Sequence, residues 1–314
     1  MKLMIQAAAL VLGLALAAGC ASATPPSGHS SIDVNDLRVR NRSAVVQGVR
    51  IFYREAGNPD KPALLLLHGF PSSSHMYREL LPLLAKDFYL VAPDYPGAGF
   101  SEYPTADKFA PSFSNLAELM SAFVEQIGLS SFTIYMQDFG GPVGFRMAVK
   151  HPRKLRGLII QNANAYVEGI APEQLDGIMN PVREQLEQLV SREFTLFNYK
   201  TGARDFASMD PTSWHMDAWI LENPEAKRIQ TDLLMDYRSN VAEYPSWQAY
   251  LRAAQQKTLI LWGKNDPIFL PAGAQAYRRD LPKAQIYFYN TGHFALEEEA
   301  PAIAREIRKM FSRK

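Results

Sequence analysis

One segment of this chain places an aspartate directly after an apolar run and directly before a pair of glycines. Residues 132–141 read FTIYMQDFGG, and Asp138 is the carboxylate of this segment. A β-branched run that ends at a reactive side chain and continues through small residues is typical of a nucleophile elbow, a sharp strand-to-helix turn. The glycines suit such a turn because a Cβ there would clash with crowded backbone. A carboxylate at its tip attacks an sp³ carbon or a strained ring and forms an alkyl ester, which must then be hydrolysed.

Other segments carry residues that complete this chemistry. Residues 262–267 read WGKNDP and residues 290–294 read NTGHF, so that Asp266 and His293 follow Asp138 in chain order. A histidine can activate water for hydrolysis of the ester, and a second carboxylate can hold the imidazole in the correct tautomer. Each residue has a simpler interpretation, since Asp138 precedes a helix-like segment as an N-cap would. Asp266 precedes a proline, as in an ordinary turn. The ordered set favours catalysis.

The elements that must position these residues alternate along the chain. Apolar strand-like runs alternate with amphipathic segments, which predicts a mostly parallel sheet with helices on both faces. The ends of such strands present residues to one crevice. Between residues 165 and 247 the strand signal disappears, which predicts several inserted helices. Glu297, Glu298 and Glu299 are interpreted as solvated charges at the start of the last helix. Strands are predicted at 63–67, 89–92, 132–136, 158–160, 258–262 and 285–289, and helices at 76–85, 116–127, 142–150 and 302–311.

From about residue 45 to the C-terminus, these motifs together resemble the α/β-hydrolase superfamily. An aspartate at the elbow is similar to the branch that contains epoxide hydrolases and haloalkane dehalogenases. The resemblance implies an α/β-hydrolase core at 37–164 and 246–314, with a helical cap inserted at 165–245. It also implies that Asp138 is the nucleophile, that His293 is the base and that Asp266 is its partner. The backbone N–H groups of Phe70 and Phe139 would form the oxyanion hole.

The residues around the predicted nucleophile separate the two chemistries. Departure of a halide requires N–H donors, which dehalogenases supply with an indole beside the nucleophile, whereas Phe70 and Phe139 donate nothing from their rings. Opening an epoxide requires an acid for the ring oxygen, and epoxide hydrolases supply it with tyrosines of the cap. Residues 235–240, MDYRSN, resemble the late-cap Tyr-Arg motif of epoxide hydrolases, so Tyr237 is the candidate acid. A second cap tyrosine is expected at Tyr166 or Tyr199.

The sequence therefore predicts hydrolysis of an apolar epoxide through an aspartyl ester, with haloalkane dehalogenation as the alternative. A ligand-binding protein that has lost turnover is the alternative from another class. No metal or organic cofactor is predicted, because the histidines outside the motifs do not cluster as ligands would. Gly69, Phe70 and Pro71 form the oxyanion loop, which supplies the Phe70 N–H, and His68 is expected to support this loop from behind. A small apolar substrate is expected from aromatic residues that are candidates to line the pocket, namely Phe70, Phe139, Trp214, Trp219 and Trp247.

The composition fits an ordinary globular enzyme. The chain has 314 residues with 33 basic and 32 acidic side chains, which leave a net charge of +1 and are mixed along the sequence. Without a basic block, nucleic acid is not an expected partner. The oligomeric state is left open. A length of this order is enough for one domain with a large insertion.

The N-terminus has the sequence pattern of an export signal. Lys2 precedes an apolar run over residues 5–18, a length typical of a signal peptide and short for a transmembrane span. The run ends AAGC, so Cys20 resembles the lipidated cysteine of a bacterial lipoprotein. Residues 1–19 are therefore predicted as a signal peptide and 20–36 as a tether, with membrane contact only through the lipid anchor. Cleavage after Ala23 by ordinary signal peptidase is the alternative, and would give a soluble periplasmic or secreted protein.

Overall fold

The computed structural model describes residues 37–312. The predicted signal peptide, lipidation at Cys20 and the tether lie outside these residues and remain predictions. Among the described residues, no helix combines the length and the hydrophobicity that a membrane crossing requires.

The described chain is built around an eight-stranded sheet. Its strands lie in the order β1-β2-β4-β3-β5-β6-β7-β8, and every pair from β4 to β8 is parallel. The six predicted strands are all present, two of them with the predicted bounds. The strands are β1 (Arg40–Val46), β2 (Val49–Ala56), β3 (Ala63–Leu67), β4 (Tyr89–Pro93), β5 (Phe132–Gln137), β6 (Leu155–Gln161), β7 (Thr258–Gly263) and β8 (Gln285–Tyr289).

The central strands are buried on both faces, which explains their continuous apolar sequences. Successive side chains of a strand point to opposite faces. In β3, Leu65 and Leu67 join one hydrophobic cluster, and Leu64 and Leu66 join the other. The first cluster includes residues of α2 (Phe113–Gln126) and α3 (Gly140–Lys150). The second includes α1 (Leu80–Leu84) and the last helix of the core.

The sequence interpretation missed the first two strands. They form an antiparallel hairpin at the edge of the sheet, and β2 pairs antiparallel with β4. The sequence of β1, RNRSAVV, is mostly polar because most of its residues are exposed. The available signal for this hairpin was the two-residue turn between β1 and β2, where Gln47 and Gly48 have φ angles of 49° and 83°. Positive φ at both central positions is the geometry of a tight hairpin.

Six α-helices fill the chain between β6 and β7, as the lack of strand signal predicted. The predicted boundary between cap and core at residues 245 and 246 falls inside the last of them, which continues into the core as one helix. These helices are α4 (Pro172–Met179), α5 (Arg183–Leu189), α6 (Arg192–Lys200), α7 (Thr212–Ile220), α8 (Pro224–Asp236) and α9 (Arg238–Ala254). After β7 come α10 (Pro271–Ala276) and α11 (Leu296–Phe311).

Candidate active site

Asp138 occupies a tight turn between β5 and α3. Its φ angle is 48°, a conformation that a residue with a side chain adopts rarely and that is common at functional turns. Two glycines, one after Asp138 and one in a neighbouring loop, leave room for this turn because a side chain at either position would clash. A Cβ on Gly140 would lie 2.2 Å from the carbonyl oxygen of Leu67, and a Cβ on Gly69 would lie 2.4 Å from the Cβ of Asp138. The chain therefore has the elbow that the motif predicts, with the carboxylate held at its tip.

Backbone N–H groups hold one oxygen of this carboxylate. The N–H of Phe70 donates to Oδ1 of Asp138 at 2.6 Å. Burial raises the pKa of Asp138, whereas the charge of His293 and the N–H groups of Phe70 and Phe139 act in the opposite direction and favour the ionised form. The two N–H groups predicted as an oxyanion hole thus both act on Asp138. The second oxygen, Oδ2, faces His293.

His293 lies between the two predicted carboxylates. Its Nδ1 is 2.8 Å from Oδ2 of Asp266, and its Nε2 is 3.9 Å from Oδ2 of Asp138. Burial alone lowers the pKa of His293, but the charge and hydrogen bond of Asp266, together with the charge of Asp138, raise it above the usual value. Three residues that lie up to 155 positions apart in the chain therefore meet in one buried group.

Asn162 forms hydrogen bonds with both Asp266 and Asp138, and the sequence interpretation did not identify it. Its Nδ2 donates to Oδ2 of Asp266 at 2.7 Å, and its Oδ1 accepts from the N–H of Gly263 at 3.0 Å. Its own carbonyl accepts the N–H of Asp138 at 3.1 Å. Asn162 follows β6 with a φ of 41°, a conformation that asparagine tolerates better than most residues. An asparagine at the end of a buried strand was the available signal.

Gln137 is a second residue that the motif analysis passed over. Its side chain is fully buried, and its Nε2 lies 2.9 Å from Nε2 of His293. When Nδ1 of His293 donates to Asp266, Nε2 carries the lone pair and accepts from the Gln137 amide. The amide oxygen of Gln137 has no hydrogen-bond partner. A Cβ on Gly69 would lie 2.3 Å from that oxygen, so the glycine of the oxyanion loop also makes room for Gln137.

The acidic run after His293 connects the cap to the core and is not a solvated patch, which corrects the sequence interpretation. The carboxylate of Glu297 forms an ion pair with Arg78. Glu298 accepts from the backbone N–H groups of Arg204 and Asp205, at 3.0 and 2.8 Å, and from the hydroxyl of Thr291. Glu297 and Glu298 are each 2% exposed at the side chain. These contacts fix the loop that carries His293.

Tyr237 lies where α8 meets α9, on the cap side of the predicted nucleophile. Its ring is 6.1 Å from that of Phe139 and 5.7 Å from that of Phe113. The carboxylate of the preceding Asp236 accepts the N–H of Phe113 at 2.8 Å. Arg146 of α3 donates to Ser239 at 3.1 Å and to Asn240 at 2.7 Å, which anchors the following turn. Burial raises the pKa of Tyr237 well above its usual value, so the phenol keeps its proton.

Neither candidate for a second cap tyrosine reaches this site. The hydroxyl of Tyr166 donates to Asp280 at 2.6 Å. The hydroxyl of Tyr199 donates to Asp217 at 2.7 Å, and its ring stacks on Phe294 at 3.9 Å. Each hydroxyl donates to a carboxylate away from the cavity, and no local sequence motif marks either pair, which lie 114 and 18 positions apart in the chain. Tyr237 is the tyrosine that lines the cavity among the described residues.

A cavity of about 600 Å³ joins these residues under the cap. Of the aromatic residues predicted to line it, Phe70 and Phe139 do so, whereas Trp214, Trp219 and Trp247 do not. Trp247 is buried against Phe145, with ring centroids 5.1 Å apart, and Trp219 is 64% exposed. Apart from Asp138, Tyr237 and His293, the lining consists of Phe70, Phe139, Ile170, Gln174, Gly177, Ile178, Val182, Gln185, Leu186, Gln188, Leu189, Phe194, Asn198, Leu234, Ile268 and Phe269.

Behind the cavity, His68 has a structural environment. Its Nε2 accepts the N–H of Tyr95 at 3.0 Å, and its Nδ1 lies 3.0 Å from the carbonyl of Gly69. Both ring nitrogens are therefore engaged with backbone beside the oxyanion loop, as expected of a supporting residue. Within residues 37–312, no group of three or more His, Cys, Asp or Glu side chains is arranged to hold a metal ion.

Comparison with known proteins agrees with this architecture. The family model for the alpha/beta hydrolase fold matches residues 62–300, which is most of the chain. The chain belongs to the α/β-hydrolase family. Its relatives include an uncharacterized hydrolase of Saccharomyces cerevisiae, which is 39% identical over 85% of this chain and 95% of its own length.

Dehalogenases are also among its relatives. A haloalkane dehalogenase of Bradyrhizobium diazoefficiens is 25% identical over 86% of this chain and 94% of its own length. Among solved structures, the crystal structure of DBJA superposes on this α/β hydrolase with a TM-score of 0.73 and 24% identity, covering 87% of this chain and 96% of the other. That structural likeness supports the fold alone. Haloalkane dehalogenases are therefore among the proteins that this hydrolase resembles.

Proposed function

We propose that this α/β hydrolase opens small apolar epoxides through an ester on Asp138. The observation that carries the proposal is the pairing of a buried carboxylate with a protonated phenol across one apolar cavity. Oδ1 of Asp138 is held by the N–H of Phe70, so Oδ2 is the oxygen free to attack. Tyr237 approaches from the cap, where an epoxide oxygen would leave. A carboxylate and an acid on opposite sides of a carbon–oxygen bond are the requirement for ring opening.

In the first step, Oδ2 of Asp138 forms a bond to an epoxide carbon, and the bond from that carbon to the ring oxygen breaks. The departing oxygen becomes an alkoxide, and it takes the proton of the Tyr237 hydroxyl. The Tyr237 phenol is a suitable donor because it stays protonated in its buried position. The product is a hydroxyalkyl ester on Asp138, and the negative charge lies on the tyrosinate.

In the second step, His293 removes a proton from water while that water attacks the ester carbon of Asp138. The water must displace the Gln137 amide from Nε2 of His293. The developing oxyanion is stabilised by the N–H groups of Phe70 and Phe139, a contribution of about 2.7–4 kcal/mol for each donor. The acyl–oxygen bond then breaks and His293 passes its proton to the departing alkoxide, so that the diol leaves. The remaining proton, on the newly formed carboxylic acid of Asp138, neutralises the tyrosinate of Tyr237. Asp138 is regenerated with one oxygen from water.

Haloalkane dehalogenation is the second candidate because relatives carry that name at 25% identity. The environment of the carbon under attack does not favour it. The rings of Phe70 and Phe139 lie 5.5 Å apart beside Asp138, and neither carries an N–H or O–H donor for a departing halide. A halide released beside these two phenyl rings would lose its hydration on that side with no N–H donor next to Asp138 to replace it, which is costly.

The His293→Gln variant tests the proposal. Glutamine keeps a polar side chain but cannot act as the base, so the ester on Asp138 should accumulate. Mass spectrometry of the variant after incubation with styrene oxide should detect an increase equal to the mass of the epoxide, on the peptide that contains Asp138. The parent enzyme should release the diol.

Two other outcomes would point elsewhere. Halide release from 1-chlorobutane or 1,2-dibromoethane, without diol from styrene oxide, would favour the dehalogenase. No adduct with any epoxide or haloalkane would contradict both hydrolase candidates and favour a binding protein that lacks turnover. An Asp138→Asn variant serves as the control, because it removes the attacking oxygen and should give no adduct.

We also propose that the enzyme is exported and anchored through Cys20. The support is the signal-like segment before that cysteine. A Cys20→Ser variant should move from the membrane fraction to the soluble fraction if Cys20 carries the lipid. Unchanged fractionation, with a mature N-terminus at Thr24, would support simple signal cleavage.

A further inference from the structure

In a displacement at carbon, the direction in which the leaving atom departs defines where its hydrogen-bond donors must lie. The attacking oxygen, the carbon and the leaving atom are nearly in line, so the leaving atom points away from Asp138 and towards the cap. The cap presents a few polar side chains to the cavity. Gln185 and Gln188 are exposed at its mouth, and the amide of Gln174 donates to the carbonyl of Pro267 at 3.2 Å. Tyr237 and Asn198 are the remaining polar residues of the cap that line it, and both are buried.

Asn198 is placed by α6, which packs against the loop of the predicted base. Tyr199, the next residue, stacks on Phe294 at 3.9 Å. Just beyond the helix, a Cβ on Gly292 would lie 2.5 Å from the carbonyl oxygen of Thr201, so the two backbones are in direct contact. Asn265 also donates to the carbonyl of Gly202 at 3.0 Å. The C-terminal end of α6 is therefore fixed on both sides of His293.

The face of α6 that meets the cavity is defined by its periodicity. Phe194 and Asn198 are four residues apart, so they lie on the same face of the helix, and both line the cavity. Tyr199 turns towards Asp217 instead. Tyr199 was one of two candidates for a second cap tyrosine, yet its neighbour Asn198 is the residue that lines the cavity.

The environment of Asn198 is unusual for a structural asparagine. The residue is 3% exposed, and its Oδ1 is buried without a hydrogen-bond partner. Buried carboxamides normally satisfy their oxygen, because an unpaired buried acceptor is unfavourable. A leucine of similar size would suit the apolar surroundings better. An unsatisfied polar group beside a catalytic cavity indicates that the residue has a function other than stability.

We propose that Asn198 is the second donor for the leaving atom, in the position that a second cap tyrosine was expected to occupy. The inference rests on the proposed aspartyl-ester mechanism. The Asn198 amide donates an N–H to the departing oxygen from the His293 side, and Tyr237 donates its O–H from the Phe139 side. An amide does not transfer a proton at neutral pH, so Tyr237 alone supplies the proton that the alkoxide takes. Asn198 stabilises the charge until that transfer is complete.

The test measures ester formation alone, in the His293→Gln background. With styrene oxide as the probe, mass spectrometry follows the rate at which the adduct appears. Asn198→Leu should slow that rate by about 10²-fold, the effect of losing one preorganised donor. Asn198→Asp keeps the shape but replaces the donor with an acceptor, and should slow the rate further. Tyr199→Phe is the matched control, because that hydroxyl donates to Asp217 and Tyr199 does not line the cavity; it should change the rate by less than about threefold.

Thermal unfolding distinguishes a role of Asn198 in ester formation from a purely structural role. Because Asn198→Leu removes an unsatisfied buried oxygen, its melting temperature should be equal to or above that of the parent while its alkylation rate falls. A lower melting temperature together with an unchanged rate would assign Asn198 to packing and overturn the proposal. Slowed ester hydrolysis with normal ester formation would also overturn it. If His293→Gln itself forms no adduct, the proposed function fails, irrespective of Asn198.

Discussion

Replacing Tyr237 with phenylalanine tests the acid of the proposed reaction with the smallest structural change. The ring is 5% exposed and packs edge-to-face on Phe113, with the ring of Phe139 beside it at 6.1 Å. Those contacts involve the ring and survive the loss of one oxygen. The change should therefore alter the free energy of unfolding by no more than about 1 kcal/mol, the typical contribution of one hydrogen bond.

The expected loss of rate follows from the environment of the hydroxyl. In an apolar cavity, one preorganised donor to a developing negative charge contributes about 10²–10³ in rate, or about 2.7–4 kcal/mol. The Asn198 amide remains in Tyr237→Phe as a second donor, which favours the lower end of that range. However, phenylalanine also removes the proton that the alkoxide must take, which favours the upper end. We expect ester formation from styrene oxide to be slower by about 10³-fold.

The assay separates the two half-reactions. Ester formation is followed by mass in the His293→Gln background with and without Tyr237→Phe, and diol release is followed in the parent background. Tyr237 acts in the first step, so the variant should form ester slowly and accumulate none when His293 is present. Tyr166→Phe is the control, since that hydroxyl donates to Asp280 and does not line the cavity. Ester formation within threefold of the parent rate would refute the assignment of Tyr237 as the acid.

Three further predictions concern charge and fit. Hydrolysis of the ester requires neutral His293, whose pKa is raised by Asp266, so the single-turnover rate should rise with pH as His293 loses its proton. Asp266→Asn should shift the midpoint of that profile down and slow the step by about 10³–10⁴-fold. Phe139→Trp supplies an indole N–H beside Asp138 and should increase halide release from 1,2-dibromoethane, measured with a halide electrode. The larger ring should also overpack the site and lower the free energy of unfolding by about 1–3 kcal/mol. Unchanged halide release would contradict the argument from missing donors. Burial raises the pKa of Asp217 to about 8, and an acid whose pKa is raised by folding stabilises the fold at low pH and loses that contribution as pH rises. Urea unfolding should therefore show a decline of up to about 1.4 kcal/mol per pH unit between about pH 4 and 8, which Asp217→Asn should abolish.

The residues of the candidate site that could be predicted are those that belong to a recognisable local sequence motif. Asp138 follows β5, which is apolar because both of its faces are buried, and His293 follows Thr-Gly in the loop after the edge strand β8, whose residues are exposed or partly buried. Parallel topology then brings strand ends to one edge of the sheet. For the same reason the buried strands were predicted from their composition, whereas polar β1 at the exposed edge was missed.

The residues that the sequence did not reveal act through contacts between distant segments. Asn162 meets Asp266 across 104 positions, and Gln137 meets His293 across 156. No local pattern encodes such a pairing, because it depends on which strand lies beside which.

The sequence by itself determined the fold family, and it predicted Asp138 as the nucleophile with Asp266 and His293 as its partners. Only the tertiary structure decided which polar residues of the cap face that nucleophile. Tyr199 and Asn198 are adjacent in the chain, yet successive residues of a helix point about 100° apart. The packing of α6 against Phe294 and Gly292 turns the tyrosine towards Asp217 and the asparagine into the cavity. The orientation of α6 depends on the surface that it packs against. That surface is formed by residues from a distant segment of the chain, so the local sequence of α6 does not specify it.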